Sequence, residues 1–247
     1  QPSIAIGENG YYYLDPQMHF LNYYDISQQT SYYVCTLPAC SHNSPTCNAY
    51  FDSSIFDGFN SYIWIYENRI YMLGNTKETN SLSIFSLNLD GSDRRKEFDI
   101  CEYSRGNYLG LAIAIHRGYI YYAISFLDPN NSSVTLYRKS LYKDQSKSER
   151  IFEFSGKGVE IFRIKGFGSR IFFQCFSPDQ KNEEKIGIYA LKVDGNTIIE
   201  SPKLIKPGAI REYTVVNSSL YYCTDSGVNV NNMETGLEET FYDVGNV

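Results

Sequence analysis

Three thiols and an imidazole fall within 13 residues, at Cys35-x4-Cys40-x-His42-x4-Cys47. Thiolate sulfur and imidazole nitrogen are the donors that a tetrahedral Zn²⁺ or a similar thiol-tolerant metal selects, and four of them complete its coordination. Pro38 and Pro45 restrict the intervening chain, which lowers the entropy lost in bending it round one ion. The spacing matches no standard zinc finger or knuckle. Disulfide chemistry is the competing reading, because the cysteines number six, an even count. Cys40 and Cys47 would close one short loop, and Cys35 and Cys101, each at the end of a fourth strand, would form a second pair. Cys175 and Cys223 sit on second strands of neighbouring repeats and read as buried free thiols or a third pair. In either chemistry the stretch 36–50 is a structural clip, with no catalytic role.

The elements that must position this loop are strands. Aromatic residues are unusually frequent, 23 Tyr and 15 Phe against 1 Trp, and they cluster in runs such as Tyr11-Tyr12-Tyr13 and Tyr121-Tyr122 that favour β structure. A turn residue followed by an apolar, aromatic strand recurs around Tyr12, Ile70, Ile120, Ile171 and Leu220, at intervals of 58, 50, 51 and 49 residues. Each copy has a preceding strand joined by a tight turn, as at Glu67-Asn68 and Arg117-Gly118, then two further strands separated by turns such as Asp90-Gly91 and Asp194-Gly195. The fourth strands are expected at 31–35, 95–100, 149–154, 203–205 and 239–242. Four short antiparallel strands repeated five times predict an all-β chain, a β-propeller of about five blades. Strands such as Tyr119–Ile124 and Arg170–Cys175 are apolar at consecutive positions, so both of their faces must be covered, as they are when one blade lies between two others. The alternatives are part of a larger propeller, or a β-sandwich, which would show cleaner in–out alternation. At 247 residues the whole chain, 1–247, is read as one domain, with 36–50 as a Cys-rich insertion between the first two blades that accounts for the longest interval.

The Cys-x4-Cys-x-His loop carrying Cys35, Pro38, Cys40 and His42, and ending in Cys47-Asn48-Ala49-Tyr50, together with the aromatic blades, resembles the TolB-like, DUF5050-type propellers of exported Firmicutes lipoproteins, whose function is unknown. The resemblance implies a surface-anchored binding or scaffold module with no catalytic residues to carry over, and a lipid anchor upstream of this chain.

A net charge of −6 argues against nucleic acid as a partner, since binding phosphates needs a basic face. Arg94-Arg95-Lys96 is short and is followed by Glu97, and reads as a solvated strand or turn. No apolar run reaches the length of a membrane span. The chain begins at Gln1 without an initiator Met and is expected to be a trimmed or mature form. His19 and His116 read as ordinary strand histidines. The carboxylates Asp57, Glu67, Glu160 and Glu212, near the first strands, would be the acid–base groups if the protein were a hydrolase, or the accessory domain of an enzyme, acting on extracellular glycan or peptide. Asn130, Asn131 and Asn217 each begin an Asn-x-Ser triplet, which matters only in a secretory eukaryotic context. The favoured expectation is a non-enzymatic, exported binding propeller whose loops, exposed tyrosines and Trp64 meet a glycan, peptide or protein.

Overall fold

Left-handed backbone at paired positions turns the chain back on itself at the start of three repeats. Glu67 and Asn68 have φ of 46° and 59°, Arg117 and Gly118 49° and 76°, and Asn217 and Ser218 47° and 63°. Two successive positive φ values are the mark of the tight hairpin turn whose twist matches that of its strands. The structure, a computed structural model, describes residues 4–15, 19–44, 46–51, 62–76, 81–102, 108–126, 133–142, 147–156, 158–178, 184–195 and 197–243. Its strands form five four-stranded antiparallel sheets, each an up-and-down meander, and these are the blades of a five-bladed β-propeller fold.

Contacts divide the chain into two units, residues 1–105 and 106–247. The first unit holds two blades. Blade one is β1 (Ile4–Ile6), β2 (Gly10–Leu14), β3 (Leu21–Asp25) and β4 (Thr30–Tyr33); blade two is β5 (Ile63–Tyr66), β6 (Arg69–Thr76), β7 (Ser81–Asn88) and β8 (Arg95–Glu102). Their shared core joins Tyr12, Leu14 and Leu21 to Ile63, Ile70 and Met72. Val34 and Phe51, which flank the insertion, are buried in the same core.

The second unit holds three blades. They are β9 (Tyr108–His116), β10 (Tyr119–Phe126), β11 (Ser133–Ser140) and β12 (Glu149–Ser155); β13 (Glu160–Phe167), β14 (Arg170–Phe176), β15 (Gly187–Asp194) and β16 (Thr197–Pro207); and β17 (Glu212–Val216), β18 (Ser219–Thr224), β19 (Gly227–Asn232) and β20 (Glu238–Asp243). The covering of both strand faces is clearest in β14. Phe172 and Phe173, consecutive and both fully buried, pack in opposite directions. Phe173 joins Tyr121, Leu136 and Phe154 of blade three, while Phe172 joins Tyr213, Leu220 and Tyr222 of blade five.

The expected strands all form, with small shifts of their ends, and β16 departs most. It runs 11 residues where the pattern marks only 203–205. As an outer strand it is largely exposed and irregular in register, and it tolerates Pro202 because an edge strand need not donate every amide. A bulge in β13 between Phe162 and Lys165 puts Arg163 at a φ of 53° and sends its side chain to Glu212 of β17, with Nε 2.9 Å from the carboxylate. None of the described helical segments is long and apolar enough to cross a membrane.

Candidate metal centre

The insertion leaves blade one at Val34, whose amide donates to Leu21 O at 3.0 Å, and it re-enters beside the same strand. Leu21 N donates to Ala49 O and Phe51 N to His19 O, each at 2.8 Å, and Phe20 bridges Tyr50. The loop is therefore pinned at both ends to the start of β3. Between the pins, turns close at Leu37–Cys40, Ser44–Cys47 and Cys47–Tyr50, with N···O distances of 3.3, 3.0 and 3.1 Å. Ala39 and His42, on either side of Cys40 and Ser41, adopt left-handed backbone with φ of 55° and 53°. For a residue with a β-carbon this conformation costs about 1–2 kcal/mol, and it persists where the surroundings hold it in place.

The result is convergence. One ligand atom from each of Cys35, Cys40, His42 and Cys47 lies within 4.8 Å of every other. His42 Nδ1 is 3.3 Å from Cys47 Sγ. A tetrahedral Zn²⁺ with Zn–S of about 2.3 Å and Zn–N of about 2.0 Å separates its ligands by about 3.5–3.8 Å, so the cluster could close on a metal by drawing in its widest pairs by up to about 1 Å.

The electrostatics fit as well. Burial raises the Cys35 thiol, but the amides of Leu37 and Asn48 and the neighbouring thiols Cys47 and Cys40 outweigh it, and its pKa falls below the ordinary thiol value. The Ala49 amide donates to Cys47, yet burial and the proximity of Cys35 and Cys40 push that thiol up to about 11. Three sulfurs this close, one of them buried, repel one another as thiolates unless a cation shares the site. The chain around them is apolar: Cys47 and Ala49 are fully buried with Phe20. The His42 ring lies 4.8 Å from that of Tyr33, and Phe20 packs on Tyr33 and Tyr50 at 4.9 and 5.3 Å.

Two groups from the turn between β7 and β8 support the loop from blade two. Arg94 Nη1 donates to Tyr50 O at 2.7 Å, and its guanidinium lies over Phe51 at 4.8 Å. Its charge also acts on Cys47. Gly91, at φ 86°, sits so close to Val34 that a β-carbon there would meet Val34 O at 2.2 Å. Arg94 is exposed in this turn, as the sequence leads one to expect, and it also fastens the loop, which the sequence does not reveal. The contact spans 44 residues, which local pattern does not reveal.

All six cysteines are free thiols. Cys101, in β8, is pushed up to about 11 by burial and the nearby Glu102. Cys175 is buried in β14 and Cys223 half-buried in β18. His116 Nε2 lies 2.9 Å from Gly168 O, and burial holds its pKa below the ordinary value, as befits a strand histidine. His19 uses its backbone to join Asp15 and Phe51. Asp57, Asn130 and Asn131 lie outside the described residues. Asn217 and Glu67 are exposed turn residues. Burial raises Glu160. Glu212 is lowered, because the Tyr213 amide and the cations Arg163 and Lys165 outweigh its burial. Trp64 is half-buried and stacked on Tyr62 at 5.8 Å, rather than exposed.

No family model matches the chain, and no curated protein matches it in sequence. Solved structures do resemble it. An oligogalacturonate lyase in complex with manganese is similar over 96% of this chain and 62% of its own, at 9% identity and a TM-score of 0.61. A calcium-binding protein, regucalcin, from Agrobacterium tumefaciens is similar over 96% and 72%, at 10% identity and 0.52. Dipeptidyl peptidase 4 of Porphyromonas gingivalis is similar over 92% of this chain but 30% of its own, at 11% identity and 0.51. This chain thus spans less than two thirds of the lyase and under a third of the peptidase. At such identities the likeness establishes the propeller fold, which serves binding proteins and enzymes alike.

Proposed function

We propose that the chain is a non-enzymatic binding or scaffold propeller of the bacterial cell surface, in which Cys35, Cys40, His42 and Cys47 hold one structural Zn²⁺. The observation that carries the reading is the count and closeness of the donors: four protein ligands within 4.8 Å of one another fill a tetrahedral shell. A catalytic zinc keeps a position open for water or substrate, whereas a closed shell contributes folding energy. The amides aimed at Cys35 and Cys47 and the packing of Phe20 and Tyr33 support the same role. The resemblance of the loop to DUF5050-type lipoproteins supports export and an upstream lipid anchor, with an extracellular glycan, peptide or protein as partner.

Metal analysis of protein purified without chelator, combined with thiol titration under denaturing conditions, tests the zinc assignment. One zinc per chain with all six thiols reactive is the expected result. Absence of metal together with fewer than three reactive thiols assigns the loop to disulfides instead.

One observation favours the enzyme reading. Glu160 and Glu212 stand on β13 and β17, the first strands of consecutive blades, with pKa values moved in opposite directions, as in an acid–base pair. Glu212, however, is held by Arg163 and Lys165. Loss of a glycan- or peptide-cleaving activity in Glu160→Gln would establish the enzyme; no such activity is expected in the native protein.

A further inference from the structure

Within the second unit, the face of blade four that meets blade five changes character along its length. Phe172 and Ile188 pack into the core with Tyr213, Leu220 and Tyr222. One step further along the same strands, at Arg170 and at Ala190 and Lys192, the face opens into a cleft of about 210 Å³. Glu200, Lys203 and Ile205 of β16 and Met233 and Gly236 from the turn between β19 and β20 complete its walls.

The charges in this cleft do not balance. Arg170 and Lys192 are direct cross-strand partners on β14 and β15, and Lys192 is the partner of Glu200 on β16. Like charges placed opposite one another destabilise a sheet. Glu200 is the one carboxylate in the lining, and it is shared between Lys192 and Lys203, each at 3.9 Å. The Arg170 guanidinium has no hydrogen-bond or ion-pair partner among the described residues. Three cations therefore face one anion across a wall whose remaining side chains are apolar at Ala190, Leu191, Ile205 and Met233 and neutral polar at Asn231.

We propose that this cleft binds a compact organic anion, a carboxylate or phosphate monoester, whose charge sits between Arg170 and Lys192 and whose apolar body lies on Ile205 and Met233. A bidentate acceptor suits the planar fork of Arg170, and it replaces the repulsion with Lys192 by attraction to both. The cleft, about 210 Å³ and partly open to solvent, has room for one ring bearing an anionic group. The inference deepens the binding reading above by naming a ligand class. It is independent of the Cys loop, which lies in the other unit.

Calorimetric titration of the full chain with phenyl phosphate, benzoate, inorganic phosphate and benzyl alcohol tests it. Saturable binding of phenyl phosphate or benzoate, at least ten-fold tighter than that of benzyl alcohol and weakening as salt is raised, is expected. Whichever of the two binds more tightly identifies the anionic group. Arg170→Met should lose at least ten-fold in affinity while its melting temperature stays level or rises, because a like-charge pair has been removed. If that variant fails to fold, Lys192→Met, which removes the other cation of the pair, takes its place. Benzyl alcohol binding as tightly as the anions, anion binding unchanged in a folded Arg170→Met, or no binding of either organic anion overturns the proposal. Inorganic phosphate binding as tightly as phenyl phosphate also overturns it, by removing the apolar contact. Zinc content measured on the same Arg170→Met protein keeps the two readings apart, since failure of the cleft leaves the metal count unchanged.

Discussion

His42 presents Nδ1 to Cys47 Sγ at 3.3 Å. The two residues are brought together by a left-handed backbone at His42 and by the turn that closes at Cys47. The imidazole is held against Tyr33 and the sulfur is buried against Phe20 and Ala49, so a ligand pair is fixed by packing before any ion arrives.

Cys40 is a half-buried candidate ligand, and serine matches its size, so its replacement reads chiefly the contribution of coordination. Cys40→Ser is expected to lower stability by roughly 2–3 kcal/mol, about 4–12 °C in Tm for a chain of this size. Amide hydrogen exchange should accelerate across residues 36–50 and remain slow in β14 and β18. Uniform acceleration throughout the chain would contradict a local clip.

Arg94 reaches the loop from the turn between β7 and β8, where it holds Tyr50 O and covers Phe51. Arg94 bonds no ligand directly, so its effect should lie at or below the lower end of the roughly 10- to 100-fold by which direct partners of ligands tune metal affinity. Arg94→Ala should therefore weaken zinc retention against a competing chelator by up to about 10-fold, while Arg95→Ala, whose partners are Glu97 and Asp93, should leave it unchanged.

Gly91 is fixed by both its φ of 86° and its approach to Val34 O. In Gly91→Ala the turn must shift away from the root of the loop, at an expected cost of about 2–4 kcal/mol from strain and lost packing. Urea denaturation reads the cost. A change below about 0.5 kcal/mol, the range of ordinary surface substitutions, would show that the turn does not brace the loop.

The blades were legible because their signal is periodic. Tyr12, Ile70, Ile120, Ile171 and Leu220 mark the second strand of every blade, and all five are buried. Consecutive apolar residues in β14 predict two covered faces, and Phe172 and Phe173 occupy them. That Cys35, Cys40, His42 and Cys47 come together was legible for a related reason: they are local in sequence and chemically distinctive. Arg94 and the cationic cleft were not. The first depends on a contact 44 residues away. The second appears only once hairpin register sets Arg170 opposite Lys192, and a shift of one residue would send them to opposite faces.

Glu212 gives a pH signature. Its pKa lies below the ordinary 4.5, because the Tyr213 amide and the cations Arg163 and Lys165 outweigh burial. A carboxyl lowered on folding contributes stability that is fully present above its unfolded value and is lost as pH falls through the folded one. The side chain is 55% exposed, so the contribution is below about 1 kcal/mol. Between about pH 5 and pH 3 the Tm of the native protein should fall more steeply than that of Glu212→Gln. Parallel curves would remove Glu212 from the acid transition.

Metal content bears most directly on the central claim. Protein purified without chelator and measured by elemental emission should carry one zinc per chain, and Cys47→Ser, prepared identically, should carry less than a tenth of that. Metal-free native protein with the same melting temperature before and after exposure to a strong chelator would contradict the claim that Cys35, Cys40, His42 and Cys47 form a structural metal clip.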